Sequence, residues 1–87
     1  MAFRWEALTL RGAGGRAELR FVRTDGVAVT MTPYDGPGGP RYVVEVRDGD
    51  GSGRTERTVG TTDDYSTALA MVIEAVLDVE GVRAVGR

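Results

Sequence analysis

Asp48-Gly49-Asp50-Gly51-Ser52-Gly53, with Glu56 shortly after, is the densest run of oxygen ligands in this chain. Carboxylates at alternate positions can converge on a hard cation, and a glycine between them permits the sharp turn that convergence needs. Counted as a calcium loop, Asp48, Asp50, Ser52 and Glu56 take positions 1, 3, 5 and 9. The Arg54 carbonyl takes position 7, and Gly53 takes position 6. Position 12 is Val59, so the usual bidentate Glu is missing and any binding is weak. Little other chemistry is on offer. The chain lacks His, Cys, Lys, Asn and Gln. There is no side chain that titrates near neutrality, no thiolate and no Schiff-base amine.

The Asp48–Glu56 segment resembles calcium-binding loops, including the strand-flanked kind in integrin propellers. That resemblance implies a weak calcium site, and no other cofactor is expected. The plainer reading is a hairpin loop whose Asp and Gly serve turn geometry. Gly12-Ala13-Gly14-Gly15-Arg16-Ala17 fits the spacing of a dinucleotide fingerprint. That fingerprint requires a helix to begin there, whereas the following residues alternate like a strand. It reads as a second hairpin loop. Glu74 and Asp78 are helical neighbours on a solvated face, where nothing desolvates them into a general acid. Ser52 and Ser66 have no base beside them in the sequence. No catalytic residue is assigned, and the chain is expected not to be an enzyme.

The charges suggest surfaces. Net charge is −2, which gives no global pull toward nucleic acid. Residues 1–60 carry nine Arg against eight acids, and residues 61–87 two Arg against five acids. Arg16, Arg20, Arg41 and Arg47 are expected on an outer sheet face, with Glu18 and Glu45 among them. Arginines beside exposed aromatics can bind single-stranded nucleic acid, but interspersed Glu suits charge pairing between strands better. The all-Arg usage fits either the coding bias of a GC-rich genome or selection for bidentate contacts to carboxylate or phosphate.

Those residues need a scaffold, and period-two patterning supplies one. Strands are expected over about 3–10, 16–23, 26–32, 41–47 and 54–60. Thr24-Asp25-Gly26 marks a hairpin. The prolines of 33–40 mark a connection that cannot hold a ladder. The first strand slips in phase: Phe3, Trp5 and Ala7 share one face, Leu8 and Leu10 the other. A bulge near Ala7, or cover on both faces, would reconcile them. The strand at 54–60 reads as a polar edge.

A helix is expected over about 63–80, with Thr61 or Thr62 at its N-cap and Gly81 at its end. Its inward stripe would be Tyr65, Ala68, Leu69, Val72, Ile73, Ala75, Val76 and Val79. Met71 and Leu77 widen that stripe and are candidates for sheet-rim packing or a partner contact. Val82–Val85 could add a final strand.

The expectation is therefore one α+β domain: an antiparallel four- to five-stranded meander with one C-terminal helix packed across one face. This order of elements resembles that of small single-stranded-DNA-binding transcriptional coactivators, at the level of fold only. The functional expectation is a small non-enzymatic protein-interaction module, an adaptor, inhibitor or regulatory subunit. It would use an exposed sheet face or edge toward a protein partner or a second copy. The alternative is a single-stranded nucleic-acid binder using the Arg-bearing face, and a minor one is the weak calcium loop. No membrane segment is evident, and the absence of Cys fits a reducing, cytoplasmic setting.

Overall fold

A computed structural model describes residues 4–11, 15–47, 49 and 54–81. Five strands precede one helix: β1 (Trp5–Arg11), β2 (Ala17–Arg23), β3 (Ala28–Gly36), β4 (Gly39–Arg47), β5 (Thr55–Thr62) and α1 (Tyr65–Val79). The sheet order is β1-β2-β3-β4-β5, antiparallel throughout. This is the α+β meander that the alternating pattern specifies. The proposed final strand at Val82–Val85 lies outside the described residues.

Hydrogen bonding at the β2–β3 hairpin fixes the alternation of the ladders on either side of it. Arg23 N donates to Val27 O at 2.8 Å, and Gly26 N to Arg23 O at 2.8 Å. Gly26 takes φ +97°, a left-handed value that suits glycine. Antiparallel pairs alternate between bonded and non-bonded. The odd residues of β2 therefore bond to β3, and its even residues bond to β1. Thr24 N donating to Arg4 O at 2.9 Å agrees.

The same alternation corrects the reading of 33–40. The ladder does not stop at the prolines: Pro33 pairs with Tyr42, Asp35 with Pro40, and Gly36 with Gly39. Pro33 points its nitrogen toward β2, whose pairing with β3 ends at Leu19↔Met31. Pro40 points its nitrogen toward β5, whose pairing ends at Tyr42↔Thr62. Each proline sits where no neighbouring strand asks for a donor. The turn itself is Pro37-Gly38, with Gly39 at φ +114°.

The core lies between the helix and strands β3 and β4. Val29, Met31, Val44, Val46, Ala68, Val72 and Ala75 are buried there. On the helix it is the small residues that face the sheet, so the helix can approach closely. Leu69, Met71, Val76 and Val79 pack around that line half-buried. Ile73 and Tyr65 correct the expected stripe: both are exposed, Ile73 at 61%. Helix packing falls mainly on β3, β4 and β5, and on β1 only Trp5 packs against the buried core.

The N-cap is Asp64, not Thr61 or Thr62, which end β5. Its carboxylate accepts from Thr67 N at 2.8 Å and from Thr67 Oγ1 at 2.7 Å. Those bonds, the hydroxyl first, hold its pKa below the ordinary Asp value of 3.8. Because the folded value is depressed, the stabilisation is present above 3.8 and is lost as pH falls through the folded value. Asp64→Ala should lower Tm at neutral pH while Asp64→Asn keeps most of the cap. The gap between wild type and Asp64→Ala should close on acidification, as thermal melts across acid pH would show. Gly81, at φ +78°, ends the helix as expected.

Candidate interaction surface

The strand alternation gives the sheet a helix side and an open side. Tyr42, Val44 and Val46 turn toward the helix, so Arg41, Val43, Glu45 and Arg47 line the open side of β4. Cross-strand register adds Arg20 and Thr30 beside Glu45. Leu8 stands beside Arg20, and Leu10 beside Glu18.

The arginines do not form a phosphate track. Arg20 pairs with Glu18 at 2.9 Å, and Arg47 with Glu45 at 3.0 Å. Both pairs are two apart on one strand, not across strands as the sequence suggested. Thr55 Oγ1 also donates to Glu45. Arg16 corrects the expectation outright, because it does not project from the outer face. It lies over the Tyr42 ring at 5.4 Å and donates to the carbonyls of Tyr34 and Arg41 and to Asp35. Those oxygens lie past the end of β2, where β3 and β4 run on as a two-strand arm. Tyr42 in turn meets Tyr65 edge-on, with ring centroids at 5.6 Å. Arg16 therefore braces the arm on the helix side. Thr30, fully buried between Arg20 and Glu45, leaves its hydroxyl without a partner.

Arg23 stitches the other end of the sheet. Its guanidinium grips Asp25 at 2.7 Å and Glu80 at 3.2 Å, and donates to the Val79 carbonyl. The Asp25 bond is the main reason that its own pKa is raised and that of Asp25 lowered. It also stacks near Trp5, 5.9 Å from the ring centroid.

The two edges of the sheet differ. β5 shifts register twice, between Val44 and Glu45 and between Val46 and Arg47 of its partner. Bulges twist an edge and interrupt its row of donors. β5 is further flanked by the Arg57–Asp78 pair at 2.8 Å and by Met71, whose tip packs against Gly60. β1 pairs with β2 without a break from Trp5↔Arg23 to Arg11↔Ala17. Neither the bulge near Ala7 nor cover on both faces is present: every residue of β1 after Trp5 is exposed. Helix packing is concentrated on β3, β4 and β5, so past Trp5 the strand has no apolar face to bury. Leu8 and Leu10, near 40% exposed, are the result.

Met71 and Leu77 separate. Met71 is half-buried on the sheet rim, while Leu77 is exposed near Ile73. Of the proposed calcium ligands, Asp48, Asp50 and Ser52 lie outside the described residues. Glu56 is exposed on β5. Among the described residues no three acids stand close enough together to hold a metal ion. No described helix is long and apolar enough to cross a membrane. Sequence reasoning missed the β1 edge, although the phase slip at Leu8 and Leu10 was its signal.

The fold and surface define a small α+β sheet domain with one guarded edge and one open edge. Comparison with known proteins finds no matching family model, no matching curated protein and no matching solved structure.

Proposed function

We propose that this chain is a non-enzymatic interaction module that binds a protein partner by adding a strand to its β1 edge. The observation that carries this reading is the contrast between the two edges. β1 is regular and exposed along its length, whereas β5 is bulged and flanked. Strand addition draws affinity from main-chain bonds and specificity from alternate side chains. By the alternation above, Trp5, Ala7, Thr9 and Arg11 present their N–H and C=O groups outward, unpaired with any strand among the described residues. Leu8 and Leu10 add apolar contact on the open side. The single-stranded nucleic-acid alternative is weaker, because Glu18 and Glu45 already occupy Arg20 and Arg47, and Arg16 is turned to the helix side.

Thr9→Pro tests this, since it removes one outward donor and no β1–β2 bond. Capture from an extract of the source cells should retain a partner with the wild-type chain and lose it with Thr9→Pro. Circular dichroism of the variant should match the wild type. A partner held equally by both proteins overturns the edge reading. Binding of single-stranded oligonucleotides that weakens steeply with salt would favour the alternative.

A further inference from the structure

We infer that the β1 edge pairs with the β1 edge of a second copy, antiparallel and with the dyad at Leu8. The inference rests on the edge reading and names its partner. A two-fold interface presents the same patch from both sides, so the patch must complement itself. β1 does so in its hydrogen bonds. The outward groups belong to odd residues, because Thr24 N bonds to Arg4 O and Arg23 N to Val27 O. Side chains directly opposite must share a face, and a one-residue slip would put them on opposite faces. That leaves dyads centred on a residue, of which Ala7, Leu8 and Thr9 pair the greatest length of β1. With the dyad at Leu8, Trp5 meets Arg11 of the second copy, and Ala7 meets Thr9 of the second copy. Each pairing recurs by symmetry, which gives four bonded pairs of two bonds each. A dyad at Ala7 or at Thr9 leaves three such pairs within Trp5–Arg11.

The side chains agree with the same register. Leu8 faces its own copy across the dyad, in a non-bonded pair where side chains approach most closely. Leu10 of each chain stands diagonal to it. The exposed leucines of both chains then form one apolar row on the open side. Glu6 faces Leu10 of the second copy, and the Arg11 guanidinium faces an indole, which attracts a cation. No like charges stand directly opposite each other. Helix packing is concentrated on β3, β4 and β5, so two copies can meet at β1 with both helices on one side of a continuous sheet.

Sedimentation of the purified full chain up to about 1 mM tests the contact. The wild type should show a concentration-dependent dimer. Leu8→Arg and Leu8→Glu should each sediment as monomers, because like charges then oppose each other at the dyad. Mixing the two variants should restore a dimer. Both substitutions fall on an exposed side chain, so matching thermal melts should show that each variant still folds. A wild-type monomer throughout overturns the inference. A dimer that survives Leu8→Arg also overturns it, and places the contact elsewhere, such as the exposed Ile73 and Leu77 of α1. If the wild type is monomeric yet still captures a foreign partner through Thr9, self-pairing fails and the edge reading stands. If capture fails as well, both fail.

Discussion

Met31→Ala should cost about 2–5 kcal/mol, the range for truncating a buried large aliphatic side chain. Met31 is fully buried on β3, the middle strand of the sheet, beneath the helix. Removing most of its side chain leaves a cavity between sheet and helix that the β3–β4 ladder prevents from collapsing. A domain of this size holds about 4–13 kcal/mol in all, at roughly 0.05–0.15 kcal/mol per residue. One truncation could therefore remove much of the stability. Urea unfolding should show a lower midpoint at an unchanged slope. Ile73→Ala is the contrast. Its side chain is 61% exposed, so it should fall within about 0.5 kcal/mol of wild type. Leu69→Ala should fall between them, because Leu69 is only half-buried. A Met31→Ala loss smaller than that of Ile73→Ala would mean that the helix docks through a different face.

That ordering separates what periodicity can and cannot say. The helical wheel places Ala68, Val72 and Ala75 with Ile73 and Tyr65 in one broad stripe. The helix buries the three small or medium residues and leaves Ile73 out. A stripe fixes the direction in which a helix faces. It does not fix how many strands lie beneath the helix, and here the helix packs mainly on β3, β4 and β5. The same cause hid the β1 edge, since alternation was read as if every strand had one covered face. The prolines misled for a different reason. Pro33 and Pro40 break a ladder only where their nitrogens meet a neighbour, and strand ends cannot be read from composition.

The surface was legible in part. Glu18 and Glu45 do neutralise arginines, as their interspersed spacing implied, although along the strand and not across it. Arg16 could not be placed from pattern. It precedes β2, and its partners are main-chain carbonyls of Tyr34 and Arg41 that only the completed β3–β4 arm brings together. The Asp25-Gly26 hairpin was the best local signal, and it proved structural twice over. Asp25 anchors Arg23, and its Oδ1 accepts from Val27 N at 3.3 Å.

Gly26→Ala should be the most damaging change outside the core. At φ +97° a Cβ is strained, which costs about 1–3 kcal/mol. The added carbon would also stand 2.8 Å from the Gly49 carbonyl oxygen, closer than real Cβ contacts come. A Cβ built on Gly49 would itself stand 2.9 Å from Val27 N and 3.0 Å from Asp25 O, so the two backbones are already in contact. Forcing them apart adds an overpacking cost of about 1–3 kcal/mol. We expect a total loss of about 2–6 kcal/mol by urea unfolding. Gly81→Ala isolates the first term. Its φ of +78° is similarly strained, but its Cβ would enter open space, so it should lose only about 1–2 kcal/mol. The excess of Gly26→Ala over Gly81→Ala then measures how firmly Gly49 is seated against the β2–β3 turn. Equal losses would mean that the turn and Gly49 do not touch. A clear excess would mean that Gly49 is held firmly against the turn.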